Sequence, residues 1–313
     1  MPARPTTRSS IALERPGDSV AVIPPIACAD PRIANAMTVD VEEYFQVSAF
    51  ADTIVAKDWD SYESRVEACI DRLLELFAAH GAHCTFFTLG WIAERHRTMI
   101  RRIVEAGHEL ASHGYRHQRA TDQTPDQFRS DVRRAKSILE DTGGAGVIGY
   151  RAASFSFDSS NGWAHEILCE EGYRYSSSIY PVRHDHYGVP DAPRFPYQPL
   201  GDDRIVEFPL STVRLFNRNI PCAGGGYFRL LPYSVSRWAL RRLNDGEARP
   251  AVFYLHPWEI DPDQPRQAAL RLKTRFRHYV NLGRMERKLG RALSDFSWDR
   301  MDRILFAGGG KES

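Results

Sequence analysis

The amino-acid sequence predicts an α/β protein in which a parallel sheet curls into a barrel. Strand and helix signals alternate repeatedly after residue 35, which is the order that parallel strands with right-handed crossover helices require. Polar side chains of catalytic types lie at or just after the C-terminal ends of several predicted strands. This is the edge of the sheet at which barrel enzymes have their active sites. Together the two observations favour a barrel.

The predicted elements follow from local patterns. The apolar stretch 36–39 predicts the first strand, and apolar side chains at helical spacing predict a helix over 62–79. Thr124 is a typical N-cap, because proline follows it at once and Gln127 stands three residues on. The other strand signals lie at 84–88, 109–112, 147–151, 173–177 and 251–256, and the other helix signals at 91–106, 163–171 and 232–245. The proline-rich stretch 181–200 predicts a surface insertion, and 205–213 and 223–229 predict extra strands.

Composition restricts the classes of protein that remain possible. A chain of 313 residues with 42% apolar content can bury one large core, and a net charge of +1 gives no overall attraction to nucleic acid. Five cysteines without a Cys-x-x-Cys pair argue against a disulfide framework and favour reduced thiols in a cytoplasmic protein, with export as the alternative. No apolar run approaches the roughly 20 residues of a membrane span.

Three histidines and two acidic residues form the strongest candidate site. His113 and His117 lie four residues apart after a short apolar segment, where both imidazoles can reach one metal ion. Asp40 and Glu42 end another apolar run with the same parity, and His256 ends a third. Two imidazoles and one carboxylate leave a coordination position open, which is typical of a catalytic metal rather than a structural one.

These residues belong to motifs whose order resembles a known family. The motifs are Asp-Val-Glu at 40–42, Ser-His-Gly-Tyr-Arg-His at 112–117, Gly-Tyr-Arg-Ala-Ala-Ser-Phe-Ser at 149–156 and Leu-His-Pro at 255–257. They resemble the polysaccharide deacetylases, the NodB-homology domain of carbohydrate esterase family 4, from about Asn35 to Glu259. The strings at 40–47, 224–233 and 256–266 are similar to the subgroup associated with bacterial exopolysaccharide and exosortase loci.

The resemblance implies a fold and a domain organisation. It narrows the barrel to a distorted, incomplete (β/α) barrel of about seven strands, which would occupy residues 35–262. Residues 1–34 are predicted to be a disordered extension, and 263–313 a basic helical C-terminal extension. We interpret the basic charges of that extension as a solvated helix face, with contact to an anionic glycan or a membrane surface as the alternative.

The resemblance also implies an activity, the metal-dependent removal of N-acetyl groups from acetamido sugars. The substrate would be a bacterial exopolysaccharide or its precursor, as free polysaccharide or lipid-linked oligosaccharide, with no role for nucleic acid. Glu42, His113 and His117 would bind the metal, expected to be Zn²⁺, although the same donors accept Co²⁺, Ni²⁺ or Fe²⁺. The alternatives are a small-amide hydrolase of the allantoinase-like branch and a non-catalytic glycan-binding module.

The remaining roles come from the same resemblance. Asp40 would be the general base, Arg151 would orient it, and His256 would be the general acid. Taken alone, Arg151 fits a simple salt bridge equally well, and His256 fits a hydrogen-bonded histidine above the core. Tyr150, Tyr227 and Trp258 are candidate substrate contacts, and the glycines at 224–226 predict a tight turn rather than a phosphate loop or a helix start.

Three positions depart from the family pattern, and one of them is Ala153, where family members often have proline. Val41 stands where the family usually has its metal-binding acid, so Glu42 takes that role, and Glu43 is the less favoured substitute, interpreted as a surface acid. Ser176 stands near the position of the acid that usually supports the catalytic histidine. His256 would therefore need Glu259 or Asp261 as its partner.

Overall fold

The structure is a computed structural model that describes residues 22–23, 33–51, 53–184, 187–222, 224–267 and 271–306. Most of the extension predicted to be disordered therefore lies outside the described residues. Within it, Val22 forms an antiparallel bridge with Tyr197, so the prediction of disorder is wrong at this point.

In the described part of the chain, eight parallel strands form the sheet, and a separate antiparallel hairpin follows the sixth. The strands are β1 (Ala34–Val41), β2 (Thr85–Thr88), β3 (Glu109–Ser112), β4 (Gly149–Tyr150), β5 (Tyr175–Ser176), β6 (Val206–Glu207), the hairpin β7 (Thr212–Leu215) and β8 (Arg218–Pro221), then β9 (Val252–Leu255) and β10 (Ser297–Asp299). Strands β1 to β6 pair in chain order, while β9 and β10 both pair with β1. Among the described residues β6 and β9 do not pair, so the predicted incomplete barrel is confirmed.

Helices cover the outside of the barrel between successive strands. They are α1 (Val66–Ala79), α2 (Gly90–Arg95), α3 (Arg97–Glu105), α4 (Pro125–Gly143), α5 (Ala164–Glu170), α6 (Gly225–Leu230), α7 (Tyr233–Arg241), α8 (Leu272–Tyr279), α9 (Leu282–Asp295) and α10 (Met301–Phe306). Short 3-10 turns at Ala153–Phe155 and Pro257–Ile260 follow β4 and β9. The capping box of α4 is confirmed, because the Thr124 and Gln127 side chains each accept from the other residue's backbone N–H.

Strand alternation divides the apolar core in two. Val39 and Val41 of β1 face the helices and belong to the larger cluster. Ala36, Phe87 and Val252 belong to the smaller cluster, which fills the barrel interior. Side chains at the ends of the strands that continue this inward parity therefore meet above the interior, at the C-terminal edge of the sheet.

The structure corrects the prediction of a strand over 223–229. Gly224 has a φ of 121° and bridges Tyr254, and a Cβ at position 224 would lie 1.9 Å from the Tyr254 carbonyl oxygen. Only glycine allows this approach, and the chain turns directly into α6. The three glycines therefore form the N-cap and the first two residues of a helix, contrary to the prediction that none begins there.

The C-terminal region differs from the predicted basic extension in two ways. Asn281 adopts a left-handed conformation, with a φ of 54°, and divides the predicted helix into α8 and α9. Strand β10 then pairs with the first residues of β1. Because β10 is part of the barrel sheet, the predicted boundary at residue 262 does not separate the barrel from an extension.

Candidate metal centre and active site

His113 and His117 lie on the loop that follows β3. Gly114 has a φ of 76°, and a Cβ there would lie 2.8 Å from Oδ2 of Asp131, which accepts a hydrogen bond from the Tyr115 amide. His117 also has a positive φ, of 53°. These two backbone positions turn the loop back on itself and bring the imidazole rings to a centroid separation of 5.2 Å.

Glu42, His113 and His117 form the one group of potential metal ligands of its kind that the described part of the chain contains. One donor atom from each residue lies within 4.8 Å of the others. The Arg151 carbonyl can only accept, so Nδ1 of His113 donates to it at 2.8 Å and Nε2 is left as the ligand atom. Strand parity carries Glu42 to the barrel interior beyond Asp40, as the sequence predicted.

The carboxylate of Glu42 shows that these residues fit a cation. Its Oε2 lies 3.0 Å from Nε2 of His117, yet this buried oxygen receives no hydrogen bond from any residue the structure describes. Burial lowers the pKa of His117 to about 4 against the opposing effect of Glu42, and burial likewise lowers that of His113. Neutral imidazoles and an unpaired carboxylate oxygen are the donors that a divalent metal needs.

Glu43 has a different role from the one predicted for it. It is buried rather than on the surface, and its carboxylate accepts from the backbone N–H groups of Arg65 and Val66 and from the hydroxyl of Ser64. These contacts satisfy free donors at the first turn of α1. Glu43 is therefore a helix-capping residue.

The two neighbouring acids give a matched test of the ligand set. We expect Glu42→Gln to weaken binding of one divalent ion by about 100-fold or more, because even partners behind the ligands typically contribute about 10–100-fold. Glu43→Gln should leave metal affinity unchanged and lower the free energy of unfolding by about 0.5–2 kcal/mol through the weakened cap. Metal titration and thermal unfolding of both variants check this, and the reverse ranking of metal affinities would contradict it.

Asp40 and Arg151 form a buried ion pair beside these ligands. Nη1 of Arg151 donates to Oδ1 of Asp40 at 2.6 Å and to Thr38 at 2.8 Å, while its other nitrogens donate to Ser177. Burial alone would raise the pKa of Asp40, but Arg151 and the nearby imidazoles hold it below its ordinary value. Asp40 is therefore an ionised carboxylate in a fixed orientation.

Glu259, not Asp261, is the partner of His256. The 3-10 turn after β9 returns the Glu259 carboxylate to Nδ1 of His256 at 2.7 Å, and Nε of Arg229 donates to its other oxygen at 3.0 Å. Asp261 instead pairs with Arg65. Sequence reasoning missed Arg229, although a lone arginine in the string at 224–233 was the available signal.

The His256 ring completes the site. Its Nε2 lies 3.5 Å from Oε1 of Glu42. Burial alone would lower the pKa of His256, but Glu42 and the hydrogen bond to Glu259 outweigh it and raise the pKa to about 9. Ser176 is buried and donates to Ser178. His256 is therefore a cationic acid at neutral pH without a carboxylate at position 176.

Two of the three aromatic residues predicted to contact substrate are unavailable to it. Tyr150 is 2% exposed and packs in the outer core against Phe128, because strand alternation turns it away from the face of Arg151. Trp258 is 6% exposed, stacks on His256 and His278, and donates to Glu42 at 3.3 Å. Trp258 therefore supports the site, and Tyr227, 41% exposed, is the one that stays accessible.

Comparison with known proteins agrees with this geometry. Residues 54–173 match the family model described as Polysaccharide deacetylase. This segment of the chain therefore matches the polysaccharide deacetylase family. A second model, described as Domain of unknown function (DUF3473), matches residues 177–306. This segment contains His256, Glu259 and the whole of α7 to α9.

The curated relatives of this chain are matched over short stretches. A peptidoglycan deacetylase of Helicobacter pylori is 30% identical over 113 residues, which are 36% of this chain and 38% of the relative. A peptidoglycan-N-acetylglucosamine deacetylase of Bacillus cereus is 29% identical over 68 residues, 22% of this chain and 25% of the relative. The matched segments thus span less than two fifths of either relative.

Solved structures confirm the fold. A Mycobacterium smegmatis protein assigned to the polysaccharide deacetylases superposes with a TM-score of 0.58 at 19% identity, covering 91% of this chain and 93% of that one. The Puue allantoinase gives a TM-score of 0.62 at 18% identity, covering 96% of this chain and 100% of that one. Both share the fold, so the fold alone does not separate a glycan substrate from a small amide.

Proposed function

We propose that this protein is a metal-dependent N-deacetylase acting on acetamido sugars of a bacterial exopolysaccharide or its lipid-linked precursor. The observation that carries the proposal is the convergence of Glu42, His113 and His117 beside an ionised carboxylate, Asp40, and a cationic imidazole, His256. An acid, a base and a metal-ligand set around one point are what hydrolysis of an amide requires.

The residues of the site have separate roles in the proposed reaction. Glu42, His113 and His117 would hold Zn²⁺, which when bound increases the acidity of water and polarises a carbonyl group. Asp40, oriented by Arg151, takes the proton of the attacking water. His256 donates a proton to the departing amine through Nε2, because Glu259 engages its Nδ1.

The pH dependence of turnover should report the Glu259–His256 pair. A general acid works only while protonated, so activity should fall as the pH rises through the pKa of His256, which the hydrogen bond to Glu259 raises. Glu259→Gln removes one of the groups that raise this pKa and should shift the alkaline limb toward neutrality. Asp261→Asn should leave it in place, and rate profiles of the three proteins check this. An alkaline limb that Glu259→Gln does not move would remove Glu259 from the mechanism.

A substrate panel separates the three candidate functions. We expect acetate release from N-acetylglucosamine oligomers and no ring-opening hydrolysis of allantoin at a comparable rate. Turnover of allantoin alone would favour the small-amide hydrolase, whose only support is the shared fold. Glycan binding without turnover, with metal bound, would favour the binding module.

A lipid-linked substrate is supported by α8. Leu272 is 83% exposed and Phe276 59% exposed, one turn apart, and exposed basic residues flank them on the helix and at its N-cap. These are Arg271, Lys273, Arg275 and Arg277. Apolar side chains interspersed with cations fit the surface of an anionic membrane. No helix among the described residues is long and apolar enough to span one.

Helix α8 packs beside the active site, because its His278 ring stacks on Trp258, which in turn stacks on His256. The Tyr187 phenol is within electrostatic reach of Arg277, at the end of α8, and of Tyr227. Its ring lies 5.9 Å from that of Phe155, which lies 5.0 Å from the ring of Tyr254. Tyr254 in turn contacts His256. A glycan held at a membrane by α8 would thus lie close to the catalytic residues. The four described cysteines are free thiols, which supports a cytoplasmic location.

Vesicle binding tests this contact. Wild-type protein should co-sediment with phosphatidylglycerol vesicles and much less with phosphatidylcholine vesicles. The double variant Leu272→Ser/Phe276→Ser should bind at least about tenfold more weakly, since burying each side chain contributes about 1.5–3 kcal/mol. Phe216→Ser is the matched control, because Phe216 is 98% exposed in the β7–β8 turn. Equal loss in the control, or no vesicle binding by wild type, would contradict the proposal.

A further inference from the structure

A second cleft lies between α7 and α9, away from the metal centre. Its volume is about 770 Å³, and it shares no lining residue with the metal site. His80, directly after α1, lines one side. Because α1 leads into β2 within a few residues, this side of the cleft lies toward the N-terminal ends of the strands, opposite the catalytic edge.

Four arginines line the cleft in two pairs. Arg237 and Arg241 lie four residues apart on α7, and Arg287 and Arg291 have the same spacing on α9. Residues four apart stand above one another on a helix, so each helix presents one arginine pair to the cleft. Like charges at this spacing destabilise a helix, so these two arginine pairs disfavour α7 and α9 when each helix is considered alone.

The residues that line the cleft carry little negative charge to balance these arginines. Asp295 is the one acidic residue among the described residues that line the cleft, and it already pairs with Arg237 at 2.8 Å and accepts from the Tyr233 hydroxyl at 2.7 Å. Arg241 and Arg287 are exposed and form no ion pair with any residue that the structure describes. At least two guanidinium groups are therefore available to an anionic ligand.

An aromatic surface accompanies the arginines. Trp238, on α7 between the two arginines of that helix, is 46% exposed and lines the same cleft. The Arg291 guanidinium lies over the Tyr233 ring at 4.5 Å. An exposed indole offers an apolar face to a sugar ring, and guanidinium groups bind carboxylates through two parallel hydrogen bonds. This combination fits an acidic sugar better than an isolated small anion.

We propose that this cleft binds a carboxylate-bearing segment of a polysaccharide, so that the polymer is held at a second place on the molecule. The choice of a glycan rests on the proposed function, whereas the requirement for negative charge rests on the cleft alone. A volume of about 770 Å³ lies within the range of small-molecule sites, about 300–1,000 Å³, and is enough for a short oligosaccharide segment.

The experiment measures binding of tetragalacturonate by calorimetry, beside N-acetylglucosamine tetramer, inorganic phosphate and a single-stranded oligonucleotide. Arg287→Ala/Arg291→Ala should weaken tetragalacturonate binding by about tenfold or more, because each charge-assisted contact that is lost has a large effect. The control, Arg242→Ala/Arg284→Ala, removes the same charge from exposed positions at the end of α7 and on α9 that do not line the cleft. It should change the affinity by less than about threefold, since exposed charges outside the site contribute little. Thermal unfolding confirms that both double variants are folded.

Each other outcome overturns the proposal. Equal losses in the two double variants would show general attraction by surface charge, and equal affinity for phosphate or the oligonucleotide would show a site for another anion. Equal affinity for the neutral N-acetylglucosamine tetramer, or no tetragalacturonate binding by wild type, would show that the cleft does not recognise carboxylates. Arg287→Ala/Arg291→Ala should also keep wild-type metal binding and acetate release from short neutral oligomers. Failure of the cleft is thereby distinguished from failure of the proposed catalytic function.

Discussion

Replacing His113 and His117 together with alanine is expected to abolish stoichiometric binding of a divalent metal and, with it, turnover. Each imidazole is one of three protein donors within 4.8 Å, so the double variant leaves Glu42 as the sole ligand. Metal that binds only the native state stabilises it by mass action. Added Zn²⁺ should therefore raise the melting temperature of wild-type protein and leave that of the double variant unchanged.

The control for this prediction is His83→Ala, a partly exposed histidine before β2 that is outside the ligand set. It should bind metal and respond to Zn²⁺ as wild type does. Metal analysis of the purified proteins gives the stoichiometry directly. If the His113→Ala/His117→Ala protein retains one metal ion per chain, the metal is bound at another site and the prediction is wrong.

Asp40→Asn is expected to keep the metal and lower the rate of deacetylation by about 10²–10⁴-fold, the usual contribution of a general base. The substitution removes the proton acceptor without removing a ligand. It also leaves the fully buried Arg151 guanidinium without its countercharge, which is strongly destabilising, although the amide oxygen can still accept the hydrogen bond from Nη1. Metal content and melting temperature must therefore be measured with the rate.

Asp40→Glu is the companion variant. It preserves the negative charge beside Arg151 and moves the carboxylate by one methylene, so it should fold and bind metal but remain slow. A wild-type rate in either variant would contradict the role of Asp40 as the base. A rate that falls only in proportion to lost folded protein would assign Asp40 a structural role.

Strand parity explains how much of the site could be predicted from the sequence. Four site residues continue the inward parity of β1, β3, β4 and β9, namely Asp40, His113, Arg151 and His256. The positions of the strand ends were therefore enough to predict that these side chains lie close together. The same alternation excludes Tyr150, which is adjacent to Arg151 and must face the helices. That error could have been avoided from the sequence.

Other features depend on contacts between distant segments. The sequence left Glu259 and Asp261 as equal candidates, and the 3-10 turn after β9, which places residue 259 back beside residue 256, decides between them. The helix start at Gly225 depends on the close approach of Gly224 to Tyr254, which no local propensity encodes. Strand β10 is three residues long and follows a helix, so its pairing with β1 is a tertiary effect.

Acetate release from N-acetylglucosamine oligomers, followed with as-purified, chelator-treated and metal-restored protein, tests the central claim most directly. We expect acetate to be released by the as-purified protein, to stop after chelation and to return with one equivalent of divalent metal. The His113→Ala/His117→Ala protein should remain inactive at every step. Acetate release that persists after complete removal of metal, or that the double variant sustains, would contradict a metal-dependent deacetylase built on Glu42, His113 and His117.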